Sequence, residues 1–472
     1  MRTNGTIKNL LLQSSYQILA IIIPLITTPY LSRTLGADNL GTFSYSYSIA
    51  YYFVIVMQLG LNNYGNREIA KVRDNKQQLS KTFCEIYCVQ LICSFWAILA
   101  YVIYMCVFAT NKLYALLILP YVISGMFDIN WLFFGLEEFK ITVSRNTIIK
   151  ILTTTCIFLF VKSSNDAAIY ALIMTISILC SQVVIWPFVP KRICVQKVKY
   201  SDVIRHFKPN FILFIPIVAV SLYKTMDKIM LGNLSNLYEV GLYDSSEKII
   251  QIPLALITAL GTVMLPRMSN IYAHGNEQKA ERVFMTSIEI AMFLSTSLSF
   301  GIMSVAKDFV PWFYGAGYEK CIDLFLILLP SCLFLAFANV IRTQFLVPKG
   351  KDIQFIISLT SGAVVNVIAN SILIPHLQSI GAAIGTLLAE IIVCVIQVYM
   401  VRKDLPVKKA IFFSIPYLLA GLIMFFCIYG VEFNVQSVVL GLFLKSIFGA
   451  IVYLCSVLVL IKARNSLVKL GK

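Results

Sequence analysis

Long apolar stretches alternate with short polar segments along nearly the whole chain, and no polar segment exceeds roughly twenty residues, too few for a soluble domain. A bilayer core about 30 Å thick takes roughly 20 apolar residues at 1.5 Å each. Fourteen segments meet that requirement, near residues 9 to 31, 41 to 61, 82 to 108, 113 to 134, 144 to 161, 167 to 189, 209 to 232, 241 to 264, 284 to 306, 322 to 346, 353 to 374, 380 to 401, 410 to 430 and 438 to 461. The first could pass for a signal peptide. Its apolar run is longer than the roughly 7 to 15 residues of such a segment, contains Pro24 and Pro29, and lacks a small-x-small cleavage pattern, so it is read as a mature span. The pattern predicts an all-α integral membrane protein of about 14 transmembrane helices.

Composition agrees with that reading. The chain is 58% hydrophobic and only 13% charged, where a globular domain carries about 25% charge. That excludes a cytosolic enzyme, a disordered tail and a disulfide scaffold. The 12 cysteines lie mostly inside the apolar stretches and form no Cys-x-x-Cys, so they read as small core residues. The basic excess, 39 against 23, changes the picture through its placement. With an even number of spans both termini share one side, and placing them in the cytoplasm puts 30 basic residues in eight inner segments and five in outer ones. The charge of +16 is therefore a topology signal. It forms no single stripe, and no nucleic-acid partner is expected. No Gly-rich loop ending in Lys-Ser or Lys-Thr is present, and the three histidines are scattered, so the sequence calls for no nucleotide-binding domain, metal or cofactor.

Three weak matches recur in order. Leu40-Gly41-Thr42-Phe43 resembles Val240-Gly241-Leu242-Tyr243, Leu119-Pro120 resembles Leu329-Pro330, and Ala167-Ala168-Ile169 resembles Ala382-Ala383-Ile384. They suit two parallel six-span halves. The expected division is an N-terminal six-helix bundle over 1–200, a C-terminal one over 201–405, and two additional helices with a cytoplasmic tail over 406–472. At this point the chain resembles a family. The run Pro29-Tyr30-Leu31-Ser32-Arg33-Thr34-Leu35-Gly36, the stretch Tyr64-Gly65-Asn66-Arg67-Glu68-Ile69-Ala70, Trp131 to Glu137 with Phe139-Lys140, and Asp227 to Gly232 with Gly241-Leu242-Tyr243 look like the polysaccharide transporter family. These are the Wzx-type O-antigen flippases of the multidrug, oligosaccharidyl-lipid and polysaccharide exporter superfamily. The resemblance spans about residues 1 to 400. It implies two six-helix bundles in a V around a central cavity, in a bacterial inner membrane. The implied activity moves an undecaprenyl-diphosphate-linked oligosaccharide from the cytoplasmic to the periplasmic leaflet, with no covalent chemistry. The implied partners are that lipid-linked substrate, membrane lipids, and a polysaccharide polymerase with its chain-length regulator. Many members have twelve spans, so the last two helices depart from that pattern.

Such a substrate demands cationic groups for the diphosphate, polar groups for the sugars and a lateral opening for the tail, so ionisable residues inside spans are the place to look. Lys224, Asp227 and Lys228 fall at i, i+3 and i+4 on one face of the seventh span, and Glu247 and Lys248, with Asp244, come to a similar depth on the eighth. They read either as a substrate site or as an ion network between two helices. Glu390, about eleven residues into the twelfth span, is the carboxylate nearest the bilayer centre. Ionised and alone it would cost several kcal/mol. It is the candidate for ion coupling, against a plain hydrogen bond to Asn366 or Asn370. Asp128 and Asn130 in the fourth span, Arg67 and Arg342 at cytoplasmic helix ends, and Arg33 at the outer end of the first span complete the candidate substrate-binding set. The rival readings are a multidrug antiporter of the same superfamily, which expects carboxylates in the first bundle, and a membrane polymerase or acyltransferase, which expects a large outer loop or a His-Asp pair.

Overall fold

Asparagine sets four of the helix starts. Asn75, Asn111, Asn236 and Asn276 each accept a backbone N–H two or three residues ahead through the side-chain oxygen, satisfying donors that a helix cannot pair internally. A computed structural model describes the backbone of residues 2–431, 435 and 437–470, and the side chains in that range except at 2–18, 20, 21, 223, 224 and 467–470. Among the described residues every regular element is helical, and thirteen helices are long and apolar enough to cross a membrane. The first of these, Ile22–Val72, has 51 residues, about 75 Å at 1.5 Å each and more than twice a bilayer core. It holds two predicted crossings. They are joined not by a loop but by a bend at Gly36, whose φ of 76° and ψ of 168° suit a residue without Cβ.

The chain divides into two compact units, residues 1–221 and 222–472. The first unit contains α1 (Arg2–Gln58), α2 (Leu61–Val72), α3 (Lys76–Ile103), α4 (Lys112–Phe127), α5 (Asn130–Gly135), α6 (Phe139–Phe160), α7 (Ala167–Val183), the short α8 (Tyr200–Ile204) and the start of α9 (Phe207–Leu234). Two apolar clusters fill it. One joins α1, α3, α4 and α7 through Phe43, Met57, Tyr101, Ile118 and Tyr170. The other joins α2, α3 and α5 through Leu61, Ile69, Phe83, Trp131 and Phe133.

α3 runs unbroken through both clusters, whereas two other paths between them are broken helices. α1 ends at Gln58, and Leu59 turns with φ 43°. The fourth predicted span is interrupted between Phe127 and Asn130, where Asp128 Oδ1 accepts the Asn130 N–H at 3.0 Å, the local turn that aspartate favours over helix. The freed carbonyls find side chains. Gln90 Nε2 donates to Gly125 O and to Asp128 O, each at 2.9 Å, while its Oε1 accepts from Trp131 Nε1 at 3.1 Å. Trp186 Nε1 donates to Phe127 O at 3.0 Å. Irregular backbone at membrane depth survives only when protein groups satisfy it in this way. Replacing Gln90 with leucine strands two carbonyls and an indole N–H, so we expect a loss of about 3 kcal/mol, read as a lowered melting temperature of the purified protein.

The second unit continues with α10 (Leu237–Ala273), α11 (Glu277–Tyr314), α12 (Cys321–Leu328), α13 (Ser331–Ile341), α14 (Asp352–Leu377), α15 (Ser379–Val401), α16 (Val407–Tyr429) and α17 (Val438–Leu470). α14 packs along α15, and α16 packs along both α11 and α17. The last two helices are stapled to α11 at three levels. Tyr417 donates to Glu289 at 2.8 Å, with Arg464 on the same carboxylate at 3.3 Å; the Tyr453 and Thr296 hydroxyls meet at 2.7 Å; and Lys445 pairs with Asp308. They are an integral part of this unit. Between α13 and α14 the helix relaxes into a π turn over Arg342–Leu346, a distortion that recurs at functional positions.

Candidate functional site

Consecutive residues on a helix point about 100° apart, and Asp227 and Lys228 use that difference to serve two separate networks. Asp227 is buried. Its Oδ2 accepts from the Tyr243 hydroxyl at 2.7 Å and from Thr386 Oγ1 at 2.6 Å, and its Oδ1 accepts from Asn370 Nδ2 at 2.7 Å. Asn370 Nδ2 also reaches Asn366 Oδ1 at 3.3 Å. All these partners are neutral. α9, α10, α14 and α15 therefore meet on one carboxylate surrounded by hydroxyl and carboxamide groups. Among the described residues, Asn370 Oδ1 is buried without a hydrogen-bond partner. Gly385 gives it room: a Cβ there would stand 2.0 Å from this oxygen. A Gly385→Ala variant should therefore displace Asn370 from Asp227 and lower the melting temperature of the purified protein, while a Gly430→Ala control, where a Cβ meets nothing within 4 Å, leaves it unchanged.

Lys228 faces the other way. Its Nζ lies 2.6 Å from Asp244 and 2.9 Å from Glu247, and Lys248 pairs with Asp244 at 2.8 Å. The seventh and eighth predicted spans are thus tied by two lysines and two carboxylates. The side chain of Lys224 lies outside the described residues.

Asp227, Tyr243, Glu247, Thr386 and Glu390 line a cavity of about 310 Å³ together with Gln251, Thr258 and Ser331 and the apolar Ile250, Leu254, Ala255, Leu328 and Leu335. Among the described residues, three carboxylates and no basic side chain line this space, and one of the three, Glu247, is paired with Lys228 behind it. Glu390 stands one turn beyond Thr386 on α15, and among the described residues it enters no ion pair. Asn370, which the sequence offered as its neighbour, is committed to Asp227 instead. The Asp227 carboxylate and the hydroxyl oxygens of Tyr243 and Thr386 are hard oxygen donors, suited to a proton or a small hard cation and unsuited to a soft metal, while Asn370 presents its amide nitrogen.

The remaining predicted residues lie apart. Arg342 is half-buried on the π turn of the second unit, donates to Asn339 Oδ1 at 2.6 Å and stacks 5.5 Å from the Phe355 ring. It forms no ion pair among the described residues. In the first unit Asp128 accepts from Gln58 Nε2 at 2.7 Å and from Asn130 Nδ2 at 2.6 Å, and Asn130 Oδ1 takes Arg145 Nη2 at 2.9 Å. Arg67 is exposed and pairs with Glu68 at 3.3 Å. Arg33 is exposed near the Gly36 bend.

Sequence reasoning missed Tyr243, Thr386 and the role of Asn370. A signal existed: Asn366 with Asn370, and Thr386 with Glu390, are polar pairs at i, i+4 on otherwise apolar helices, which marks a buried polar stripe.

Helices of this length, with residues of five helices lining one cavity, define a multi-pass α-helical membrane protein. Its fold is that of the structure described as "Lipid II flippase MurJ, inward closed conformation", with a TM-score of 0.73 at 14% identity over 94% of this chain and 97% of that one. An inward-facing multidrug resistance MATE family transporter of the MOP superfamily follows, with a TM-score of 0.60 at 15% identity over 82% and 99%. The family described as "Polysaccharide biosynthesis protein" matches residues 6–272, and the chain belongs to that family. Among similar proteins, one of Escherichia coli (strain K12) named "Putative O-antigen transporter" is 23% identical over 388 residues, 81% of this chain and 93% of its own length. A protein of Shigella dysenteriae with the same name is 22% identical, covering 84% and 100%.

Proposed function

We propose that the chain is a flippase for undecaprenyl-diphosphate-linked O-antigen or polysaccharide repeat units. It moves them from the cytoplasmic to the periplasmic leaflet of a bacterial inner membrane by alternating access, driven by a proton or a sodium ion, with both termini in the cytoplasm. Family membership and the names of the relatives support the substrate class. The observation that carries the mechanism is the cavity of the second unit, which among the described residues is lined by three carboxylates, two of them, Asp227 and Glu390, outside any ion pair.

That lining divides the labour. A diphosphate is repelled by the carboxylates of Asp227 and Glu390, while Glu247 and Asp244 are neutralised by Lys228 and Lys248, which leaves no free cation of that network for phosphate, so this cavity is the place of the coupling cation. Asp227 and Glu390 hold it, and binding there is worth energy only because water is largely excluded. The diphosphate belongs with basic groups outside the cavity, of which Arg342 is the strongest candidate: guanidinium engages phosphate oxygens in pairs, and this one has no acidic partner among the described residues. Polar groups near the helix breaks of the first unit, Asp128 and Asn130 among them, offer hydrogen bonds to sugar hydroxyls. No step in this cycle makes or breaks a covalent bond.

Deletion of the gene, followed by analysis of surface polysaccharide and of lipid-linked intermediates, tests the assignment. The expected result is loss of full-length polysaccharide with intermediates retained in the inner leaflet. Unchanged polysaccharide with altered drug sensitivity would instead favour a multidrug antiporter.

A further inference from the structure

Residues 191–208, which connect the helices after α7 to α9, carry six basic side chains and one acid. The acid, Asp202, is occupied by Lys81 at 3.2 Å. The segment is fixed to the bundle by its backbone and by one face of α8. Cys194 N donates to Ser80 Oγ at 3.0 Å and Gln196 Nε2 to Gln77 O at 3.4 Å, both on the first turns of α3. Below α8, Arg205 reaches the buried Glu85 at 2.7 Å, and His206 sits between Glu85 at 3.0 Å and the Tyr64 hydroxyl at 2.7 Å. Val203 and His206 thus point inward.

The opposite face is open. Val195 is 95% exposed, Tyr200 76% and Ile204 45%, with Lys191, Lys197, Lys199 and Lys208 exposed beside them. None of these four lysines enters an ion pair among the described residues. Apolar and aromatic side chains interleaved with unpaired lysines, on a segment whose two ends enter membrane-crossing helices, match the chemistry of an anionic bilayer surface.

We propose that this face is a docking surface for anionic phospholipid headgroups. Val195, Tyr200 and Ile204 dip into the interface while Lys191, Lys197, Lys199 and Lys208 contact phosphates, so that the segment leading into α9 is held on the membrane. The proposal is independent of what the protein transports.

Hydrogen–deuterium exchange of peptides covering 191–206 tests it, using the full chain in nanodiscs of phosphatidylcholine alone or mixed with phosphatidylglycerol. The expected result is exchange slowed about fivefold or more by phosphatidylglycerol, in keeping with about 1 kcal/mol per interfacial lysine, reversed by high salt, lost in a K191Q/K197Q/K199Q variant and retained in the corresponding arginine variant. These side chains are exposed, and the wild-type lipid comparison stands even if a variant fails to fold. Exchange equal in the two lipids would overturn the proposal, as would protection that appears only on adding cytosolic protein, which would make the face a protein-docking site. Protection by inorganic phosphate as strong as that by the lipid would overturn it too, because a free anion would then suffice.

Discussion

Asp227→Asn is expected to lower transport about 10- to 100-fold, the range of ordinary coupling free energies between two sites, while leaving the fold nearly as stable as wild type. Asparagine keeps the size of the side chain and an oxygen for Tyr243 and Thr386, but it removes the charge that a cation needs. Alanine separates the two roles. It removes the acceptor on which the Tyr243 and Thr386 hydroxyls and the Asn370 amide meet at 2.6 to 2.7 Å and leaves them their second partners, Thr386 for Tyr243 at 2.8 Å, Ala382 O for Thr386 at 3.0 Å and Asn366 for Asn370 at 3.3 Å, so the loss is about 1 to 3 kcal/mol in all. Asp227→Ala should therefore lose both transport and stability. The check is leaflet translocation measured beside the melting temperature. Full transport in Asp227→Asn would remove the carboxylate from the mechanism, and Glu390→Gln would then be the variant to carry the loss.

Breaking the neighbouring ion network has the second largest expected effect, on stability instead of turnover. Asp244 is buried and bonds both Lys228 at 2.6 Å and Lys248 at 2.8 Å. Asp244→Leu leaves Lys228 with Glu247 as its one remaining ion-pair partner and takes the Asp244 carboxylate from Lys248, and removing one partner of a buried pair costs about 3 to 5 kcal/mol. The double variant Asp244→Leu with Lys228→Met removes opposite charges together and should recover most of that loss, because well-packed apolar replacements of buried pairs are close to neutral. Thermal unfolding of the three proteins in one detergent measures this. Equal melting temperatures for wild type and Asp244→Leu would show that the network contributes nothing to holding α9 on α10.

How much of this was legible in the sequence follows from what each feature depends on. The spans came from length and hydropathy alone, because the bilayer imposes them. Gly36 shows the limit: a bend that keeps both flanking helices hydrogen-bonded looks like a loop in a hydropathy pattern, so two crossings join into one kinked helix. The break at Asp128 escaped for the opposite reason. The stretch around it stays apolar, and the groups that satisfy the interrupted backbone, Gln90 and Trp186, come from distant helices. Lys224, Asp227 and Lys228 were read as one face at i, i+3, i+4. In the fold Asp227 and Lys228 belong to different networks, and only tertiary packing decides which side of a helix meets Tyr243 and which meets Asp244. Glu390 is read from its depth in its span, and the fold buries it on α15. Its partner does not follow from depth, and Asn370 proves to belong to Asp227.

The central claim is that a cation bound in the acidic cavity of the second unit drives a lipid-linked oligosaccharide across the membrane. The most direct measurement reconstitutes the purified protein in vesicles with a fluorescent undecaprenyl-diphosphate oligosaccharide and follows its accessibility to an external quencher while a proton or a sodium gradient is imposed. The account predicts translocation that accelerates with one of the two gradients and loses that acceleration in Asp227→Asn. Translocation at the same rate in wild type and variant, indifferent to either gradient, would contradict it.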